Sequence, residues 1–303
     1  MVSIVVLSYN NLEYLFETLN SIFIQTHSDV ELIIADDGSE RFFESEIEKY
    51  IIENKKSNIK SYAILHSANN KGTVKNINNS LKICNGEIIK FIGADDLFFD
   101  KNVIEKVSNF MKKEKSLFLA TNVQACNKSL KPIKSIEYFN KEMLEYLQNT
   151  NNIEKFEEHC RTEIKPPAPG FFFTKKLFEQ YGNFDEDYFI AEDSPMWCRL
   201  LREGCRIDYW NLVSVKYRIG SGISTKKKSN PYLFFDKKKK IEKEIFKYKN
   251  LLSKDAIRIN EYRYLKNYLW KSVDLKKRIQ TTFCYFDVIV YLCKLRIQRK
   301  IKK

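Results

Sequence analysis

The chain has 303 residues, 44% hydrophobic and 30% charged, which is enough to bury a sizeable core and fits a soluble globular protein rather than a disordered one. Nine glycines and six prolines exclude long low-complexity linkers. Seven cysteines, with no C-x-x-C pair and no histidine at metal spacing, argue against a disulfide framework or a zinc site and for reduced cytosolic thiols.

The net charge of +13 is unevenly spread. Residues 226–303 hold 24 Lys+Arg against 7 Asp+Glu, a net of +17, whereas residues 1–225 hold 28 against 32, a net of −4. A boundary near 225 follows, and the basic tail calls for an anionic partner: a membrane surface, a nucleic acid or an acidic polymer. Val2–Leu7 follows the first residue with no basic leader, so the chain is expected in the cytoplasm.

In chain order, Val2–Ser8 reads as a strand ending in Tyr9-Asn10-Asn11, where an Asn can cap the next helix. Leu12, Leu15, Phe16, Leu19, Ile22 and Phe23 recur at helical spacing, so that helix lays one apolar face on a sheet. A second strand, Glu31–Ala35, ends at Asp36-Asp37-Gly38-Ser39, and a helix follows through Ile47, Tyr50, Ile51 and Ile52. A strand around Tyr62–Leu65 precedes Asn70-Lys71-Gly72, and a helix through Val74, Ile77, Leu81 and Ile83 ends at the turn Asn85-Gly86. Strand Glu87–Ile92 then leads to Asp95-Asp96 and to a helix carrying Val103, Ile104, Val107, Phe110 and Met111. This alternation predicts a parallel, doubly wound α/β sheet. Asn140–Phe156 reads as helical, Pro166–Gly170 as a rigid turn, and Tyr217-Arg218 with Gly222-x-Ser224 as a closing loop after the last core strand.

Three acidic pairs carry the chemistry: Asp36-Asp37, Asp95-Asp96 and Glu192-Asp193. Carboxylates gathered at the ends of buried strands lose hydration and repel one another, so they call for a cation or a substrate. Strand carboxyl ends are also where ligands bind in open α/β sheets. Each pair has a plainer reading: Asp-Asp-Gly-Ser as a turn and helix cap, Asp95-Asp96 as a loop to a helix capped by Asp100, and Glu192-Asp193 before Ser194-Pro195 as a helix start. Together they point to a metal-assisted active site. The histidines His27, His66 and His159 are isolated and receive no catalytic role.

The order of Val5-Val6-Leu7-Ser8-Tyr9-Asn10, Asp36-Asp37-Gly38-Ser39, Asn70-x-Gly72 with Asn78, Asn85–Ile89, Ala94-Asp95-Asp96 and Glu192-Asp193 resembles the family 2 glycosyltransferases over about the first 225 residues. The resemblance implies a GT-A fold: a Rossmann-like, mainly parallel sheet with flanking helices, residues 1–100 binding the nucleotide-sugar and 101–225 shaping the acceptor side. It implies an inverting transferase that uses Mn²⁺ or Mg²⁺. It assigns Asp96 as the metal ligand with Asp95 beside it. Asp37 would accept from the uracil N–H, with Asp36, Ser8, Tyr9, Asn70, Gly72 and Asn78 about the donor. Asp193 would be the general base that deprotonates the acceptor hydroxyl. Gly170, Glu192, Trp197 and Arg218 are weaker candidates for the acceptor or a closing loop; burial serves Trp197, and a plain salt bridge Arg218, equally well. Two positions depart from the family pattern. Gly93 stands where a first Asp is common, leaving Asp95 and Asp96 as the local metal ligands, and Ile77 stands where an Arg commonly precedes the Asn, so that donor contact is missing unless Lys75 supplies it.

The implied partners are a UDP-sugar and a glycan or lipid-linked acceptor in surface polysaccharide biosynthesis, with no nucleic acid expected and homo-oligomerisation left open. The tail, 226–303, reads as a basic helical extension. Its run Phe283–Cys293 carries Asp287 and is too short to span a bilayer, so an interfacial helix at the inner face of the cell membrane is one reading and packing on the protein the other. Two rival functions are a GT-A-like sugar-nucleotide nucleotidyltransferase, for which Ser8–Asn11 stands in place of a Gly-rich phosphate loop, and a non-enzymatic binder of anionic polymer through the tail.

Overall fold

The structure, a computed structural model, describes residues 1–137, 141–220 and 230–301. In chain order the strands are β1 (Val2–Ser8), β2 (Val30–Asp36), β3 (Ile59–His66), β4 (Ile88–Gly93), β5 (Leu97–Phe98), β6 (Phe118–Cys126), β7 (Pro132–Glu137), β8 (Phe171–Thr174) and β9 (Ile207–Arg218). The helices are α1 (Leu15–Phe23), α2 (Glu44–Asn54), α3 (Thr73–Leu81), α4 (Val103–Glu114), α5 (Lys141–Asn149), α6 (Asn152–Thr162), α7 (Lys175–Tyr181), α8 (Asp193–Arg202), α9 (Pro231–Lys240), α10 (Lys254–Tyr264), α11 (Leu275–Cys284) and α12 (Phe286–Ile301). The seven cysteines, five of them buried, form no disulfide.

The chain falls into two compact units. The first comprises Met1–Asn149, Pro166–Asp193 and Arg206–Asn230. It holds one sheet in the order β3-β2-β1-β4-β8-β6-β9-β5, with β7 on β6. The strands β3, β2, β1 and β4 are parallel, as the βα alternation predicts. Beyond β4 the sheet is mixed: β8 runs antiparallel to both β4 and β6, and β9 parallel to β6. Strands β1 and β2 are almost wholly buried, which is why they read as unbroken apolar runs rather than alternating ones. One core joins Ile4, Val6, Leu32, Ile34, Ile88 and Ile92 to Leu15, Leu19 and Ile22 of α1, Ile47 and Ile51 of α2, and Val103 and Val107 of α4.

Three local expectations change. Helix α1 starts at Leu15 behind Tyr14, with no side-chain cap from the Asn pair: Asn10 adopts φ +48°, and its side-chain oxygen accepts the Glu40 N–H at 3.1 Å instead. The helical stretch before Phe156 is two helices, with Asn151 capping the second through Glu154 N–H. Tyr217 and Arg218 belong to β9 itself, held in register with Ala125 and Cys126 of β6, rather than to a loop after it. Gly222 to Ser224 lies outside the described residues, as does Asn140.

The second unit comprises Thr150–Lys165, Ser194–Cys205 and Pro231–Lys303. It is helical and recruits α6 and most of α8 from the middle of the chain. Arg202 and Glu244, both largely buried, pair at 2.7 Å, with the guanidinium stacked over Tyr248 at 3.8 Å. Asn260 and Arg263 of α10 donate to the carbonyl of Cys160 at 3.0 and 2.8 Å, satisfying the open end of α6. Among the described residues no helix is long and apolar enough to cross a membrane.

Candidate active site

Parallel strands bring their carboxyl ends to one end of the sheet. Ser8 of β1 is in register with Asp36 of β2, Asp36 with His66 of β3, and Leu7 with Gly93 of β4. The loops that leave these four strands therefore start side by side, where ligands enter an open α/β sheet.

The two aspartates after β2 take different partners. Asp36, fully buried, accepts from Ser8 Oγ (2.8 Å), Ser39 N–H (2.8 Å) and Ser39 Oγ (2.5 Å), and its Oδ2 lies 2.9 Å from His66 Nδ1. The His66 ring is stacked on Phe42 at 4.5 Å. Ser39 Oγ also accepts the Asn10 N–H at 2.8 Å, so Asp36 knits the loops after β1, β2 and β3 together. Half-buried Tyr9 stands between Ser8 and that bond. Asp37 instead receives the N–H groups of Lys71 and Gly72, each at 2.8 Å. Burial pushes its carboxyl above the ordinary range, against the pull of those two amides. Each oxygen still has a second lone pair to offer a ligand N–H.

The Asn70–Gly72 turn is fixed from both sides. Asn70 Oδ1 accepts the Gly72 N–H at 2.9 Å. Gly72 sits at φ +91°, and a Cβ there would lie 2.4 Å from the carbonyl oxygen of Phe189. Only glycine permits both the conformation and the approach. The Val74 N–H donates to that same carbonyl, and Asn78 bonds Phe184 N–H, Phe184 O and Glu186. The segment Phe184–Phe189 is thereby attached to α3, four residues before half-buried Asp193. Asp193 is the first residue of α8, where the helix dipole favours a carboxylate, and Glu192 precedes it in a tight turn closed by Glu192 N–H on Ile190 O.

Asp95 and Asp96 follow β4, and both are buried. The backbone N–H of Arg218 donates to Asp96 Oδ1 at 2.9 Å, and Arg218 Nε donates to the Asp95 carbonyl at 2.9 Å. The rest of that guanidinium, fully buried, reaches the Lys128 carbonyl and Glu17 Oε2 and lies 3.7 Å over the Tyr14 ring. Arg218 thus clamps the acidic loop with its donors turned into the protein. A Cβ on Gly93 would meet Asp95 Oδ1 at 2.8 Å and Asp96 Oδ2 at 3.3 Å, so the two carboxylates fold back over the position where the family often has another Asp.

These residues fit a divalent cation. Burial and then the neighbouring Asp95 drive the Asp96 carboxyl well above the usual range, which the Arg218 N–H and the charges of Lys90 and Arg218 only partly offset. A hard cation would relieve that excess negative charge, and paired carboxylate oxygens suit Mg²⁺ or Mn²⁺. Among the described residues no group of three or more His, Cys, Asp and Glu is arranged to hold a metal. The remaining ligands would then be phosphate and water.

Of the weaker candidates, Gly170 is buried against β6, its carbonyl accepting from Thr121 Oγ1 at 2.7 Å, and Trp197 is buried within the helical unit. Three participants escaped the sequence reading. Lys90, fully buried in mid-strand between Ile88 and Ile92, donates to the carbonyls of Pro169 and Phe171 and sits 4.4 Å over the Phe172 ring. Burial pushes its ammonium down to about 7. It ties the Pro166–Gly170 segment to the strand that carries Asp95 and Asp96; a lysine at a core position of an apolar strand was the available signal. His66 and Glu17 have no sequence signature; only the fold brings His66 to Asp36 and Glu17 to Arg218.

The sequence profile of glycosyl transferase family 2 matches residues 3–182, more than half of the chain. The chain belongs to glycosyl transferase family 2. An uncharacterized glycosyltransferase of Rickettsia felis is 28% identical over 233 residues, 76% of this chain and 35% of that protein. The chain thus spans about a third of the length of that relative. The Escherichia coli protein WfaP, a UDP-Glc:alpha-D-GlcNAc-diphosphoundecaprenol beta-1,3-glucosyltransferase, is 27% identical over 238 residues, covering 73% of this chain and 78% of its own. Among solved structures, residues 1–349 of S. aureus TarS in complex with UDP-GlcNAc superpose with a TM-score of 0.61 at 18% identity, over 95% of this chain and 80% of that fragment. The mannosyltransferase PcManGT of Pyrobaculum calidifontis, in complex with GDP-Man and Mn²⁺, gives 0.52 at 15% identity, over 89% of this chain and 63% of its own. At these identities the likeness establishes the GT-A fold.

Proposed function

We propose that this family 2 member transfers a sugar from a UDP-sugar to a hydroxyl of a glycan or lipid-linked acceptor, with inversion and with Mn²⁺ or Mg²⁺, in surface polysaccharide synthesis. The observation that carries the reading is the meeting of three motifs at one end of the sheet: Asp36–Asp37, Asp95–Asp96, and the Asn70–Gly72 turn packed on Phe189 just before Asp193.

In this reading Ser8, Tyr9, Asp36 and Asp37 receive the uridine, Asp37 accepting from the base N–H with its remaining lone pairs. Asp96, with Asp95 beside it, would hold the cation, whose charge would stabilise the leaving diphosphate. Asp193 removes the proton from the acceptor hydroxyl as it attacks the anomeric carbon, and direct displacement inverts the configuration. Gly170 and Glu192 belong to the acceptor side, and Arg218 serves by holding the acidic loop. The UDP-GlcNAc complex of TarS and the lipid-linked substrate in the name of WfaP support this choice of donor and acceptor. A cytoplasmic enzyme peripheral to the inner face of the membrane suits such an acceptor.

The test is a screen of nucleotide-sugars for hydrolysis and transfer with Mn²⁺ or Mg²⁺, comparing the wild type with Asp96→Ala and Asp193→Asn. UDP release from one donor, abolished in both variants, supports the assignments. Turnover of a sugar 1-phosphate with a nucleoside triphosphate would favour the nucleotidyltransferase instead. No turnover and no UDP binding by calorimetry would leave the anionic-polymer binder.

A further inference from the structure

Helices α11 and α12 leave a row of large apolar side chains in solvent. Leu275, Ile279, Phe283, Phe286, Val290 and Ile297 are exposed, Leu275 by 72%, Phe283 by 77% and Phe286 by 63%. They recur at steps of three or four residues, with exposed Cys293 filling the one longer gap, so each helix carries them as a single stripe. The row does not serve the core. Val288, Tyr291 and Leu292, on the opposite side of α12, and Ile289 at the edge of the stripe, are the residues that pack on Ile259 and Tyr262. At 100° per residue, exposed Lys276 flanks the stripe of α11, and exposed Lys294 and Arg296 flank that of α12, whereas Arg278 is turned to the Val273 and Lys271 carbonyls. Two acids lie by these helices: Asp274 caps α11 by accepting the Lys277 N–H at 2.8 Å, and Asp287 is paired with Arg258 at 2.9 Å.

We propose that this face docks on an anionic lipid surface, the apolar stripe entering the headgroup boundary and the flanking cations meeting lipid phosphates. An apolar stripe edged with Lys and Arg is the pattern of a helix lying in a membrane interface. Charge selects this occupant over a second copy of the chain. Residues 226–303 carry a net of +17, and apposing two such faces would bring like charges together around a desolvated stripe. The α12 helix, at 16 residues, is too short to span a bilayer and long enough to lie along one. The proposal stands on this surface alone and is independent of the transferase reading.

The experiment is co-sedimentation of the full chain with vesicles of phosphatidylglycerol and phosphatidylethanolamine, against vesicles of phosphatidylcholine alone. The wild type is expected to bind the anionic vesicles at least about tenfold more tightly, and to lose most of that preference in 1 M salt, where charges are screened within about 3 Å. The triple variant Ile279→Ser, Phe283→Ser, Phe286→Ser should lose about tenfold in vesicle binding with an unchanged melting temperature, because the altered side chains lie in solvent. Lys276→Glu with Lys294→Glu should weaken it with the apolar stripe intact. Equal binding to both vesicle types, or undiminished binding by both variants, overturns the proposal. So does a micromolar homo-oligomer that the triple variant dissolves while the wild type ignores vesicles.

Discussion

The backbone N–H of Arg218 donates to Asp96 Oδ1 at 2.9 Å, so the last strand of the sheet ends on the carboxylate assigned to the metal. That bond survives any side-chain change, whereas the guanidinium bonds to Asp95 O, Lys128 O and Glu17 do not. Arg218→Lys keeps a charge without the planar fork and is expected to cost about 2–4 kcal/mol in stability, since buried carbonyls lose their donors. It should also weaken Mn²⁺-dependent UDP binding. Denaturant unfolding and calorimetry check the two effects, and a stability equal to wild type would rule out the clamp.

Asp96 is held against its own charge. Its raised pKa means that the charged form is a burden to the fold when no cation is bound. Asp96→Asn removes that burden and should raise the melting temperature in chelator while abolishing the further rise that millimolar Mn²⁺ with UDP gives the wild type. Opposite signs in the two conditions separate a ligand-binding carboxylate from a structural one. A fall in chelator would assign Asp96 to the fold.

Gly72 joins Asp37 to the segment that leads to Asp193. Gly72→Ala adds a Cβ that would lie 2.4 Å from Phe189 O, at a φ of +91°. Strain at such a position costs on the order of 1–3 kcal/mol, and relief requires moving the segment that leads to Asp193. The expected outcome is a loss in kcat greater than the loss in UDP affinity, measured by single-turnover kinetics beside calorimetry. Equal losses would place the effect in the nucleotide pocket alone.

What was legible in the sequence follows from local rules. The runs Val2–Ser8, Glu31–Ala35 and Glu87–Ile92 announce buried parallel strands because both of their faces are covered, and an acidic pair after each of the last two marks the ligand end. What was not legible depends on pairings distant along the chain. Lys90 stands inside the strand run Glu87–Ile92, but its partners, the Pro169 and Phe171 carbonyls, lie 79 and 81 residues on. Arg218 lies in a strand because β6 pairs with it, more than 90 residues away. The order of β8, β6 and β9 leaves no periodic signature, and α6 and α8 join the C-terminal helices through packing that their own stripes do not specify.

His159 offers a pH test of the helical unit. It is fully buried, with Nδ1 3.0 Å from the Ile164 carbonyl and Nε2 2.9 Å from Ser194 Oγ. A carbonyl can only accept, so Nδ1 carries the proton, and Nε2 accepts from the serine hydroxyl at the start of α8. Burial first, and then Lys240, Lys165 and Arg263, hold its pKa well below the ordinary 6.5. The folded chain therefore keeps His159 neutral, while the unfolded chain takes up a proton as pH falls below about 6.5. The unfolded state binds more protons in that range, so stability drops there by up to about 1.4 kcal/mol per pH unit from this group and is unaffected by it above pH 7. His159→Gln cannot titrate, so the difference in stability between variant and wild type should shift in the variant's favour as pH is lowered from 7 to 5. Denaturant midpoints measured across that range check it, and a constant difference would mean that His159 takes up its proton equally in the folded and unfolded chain.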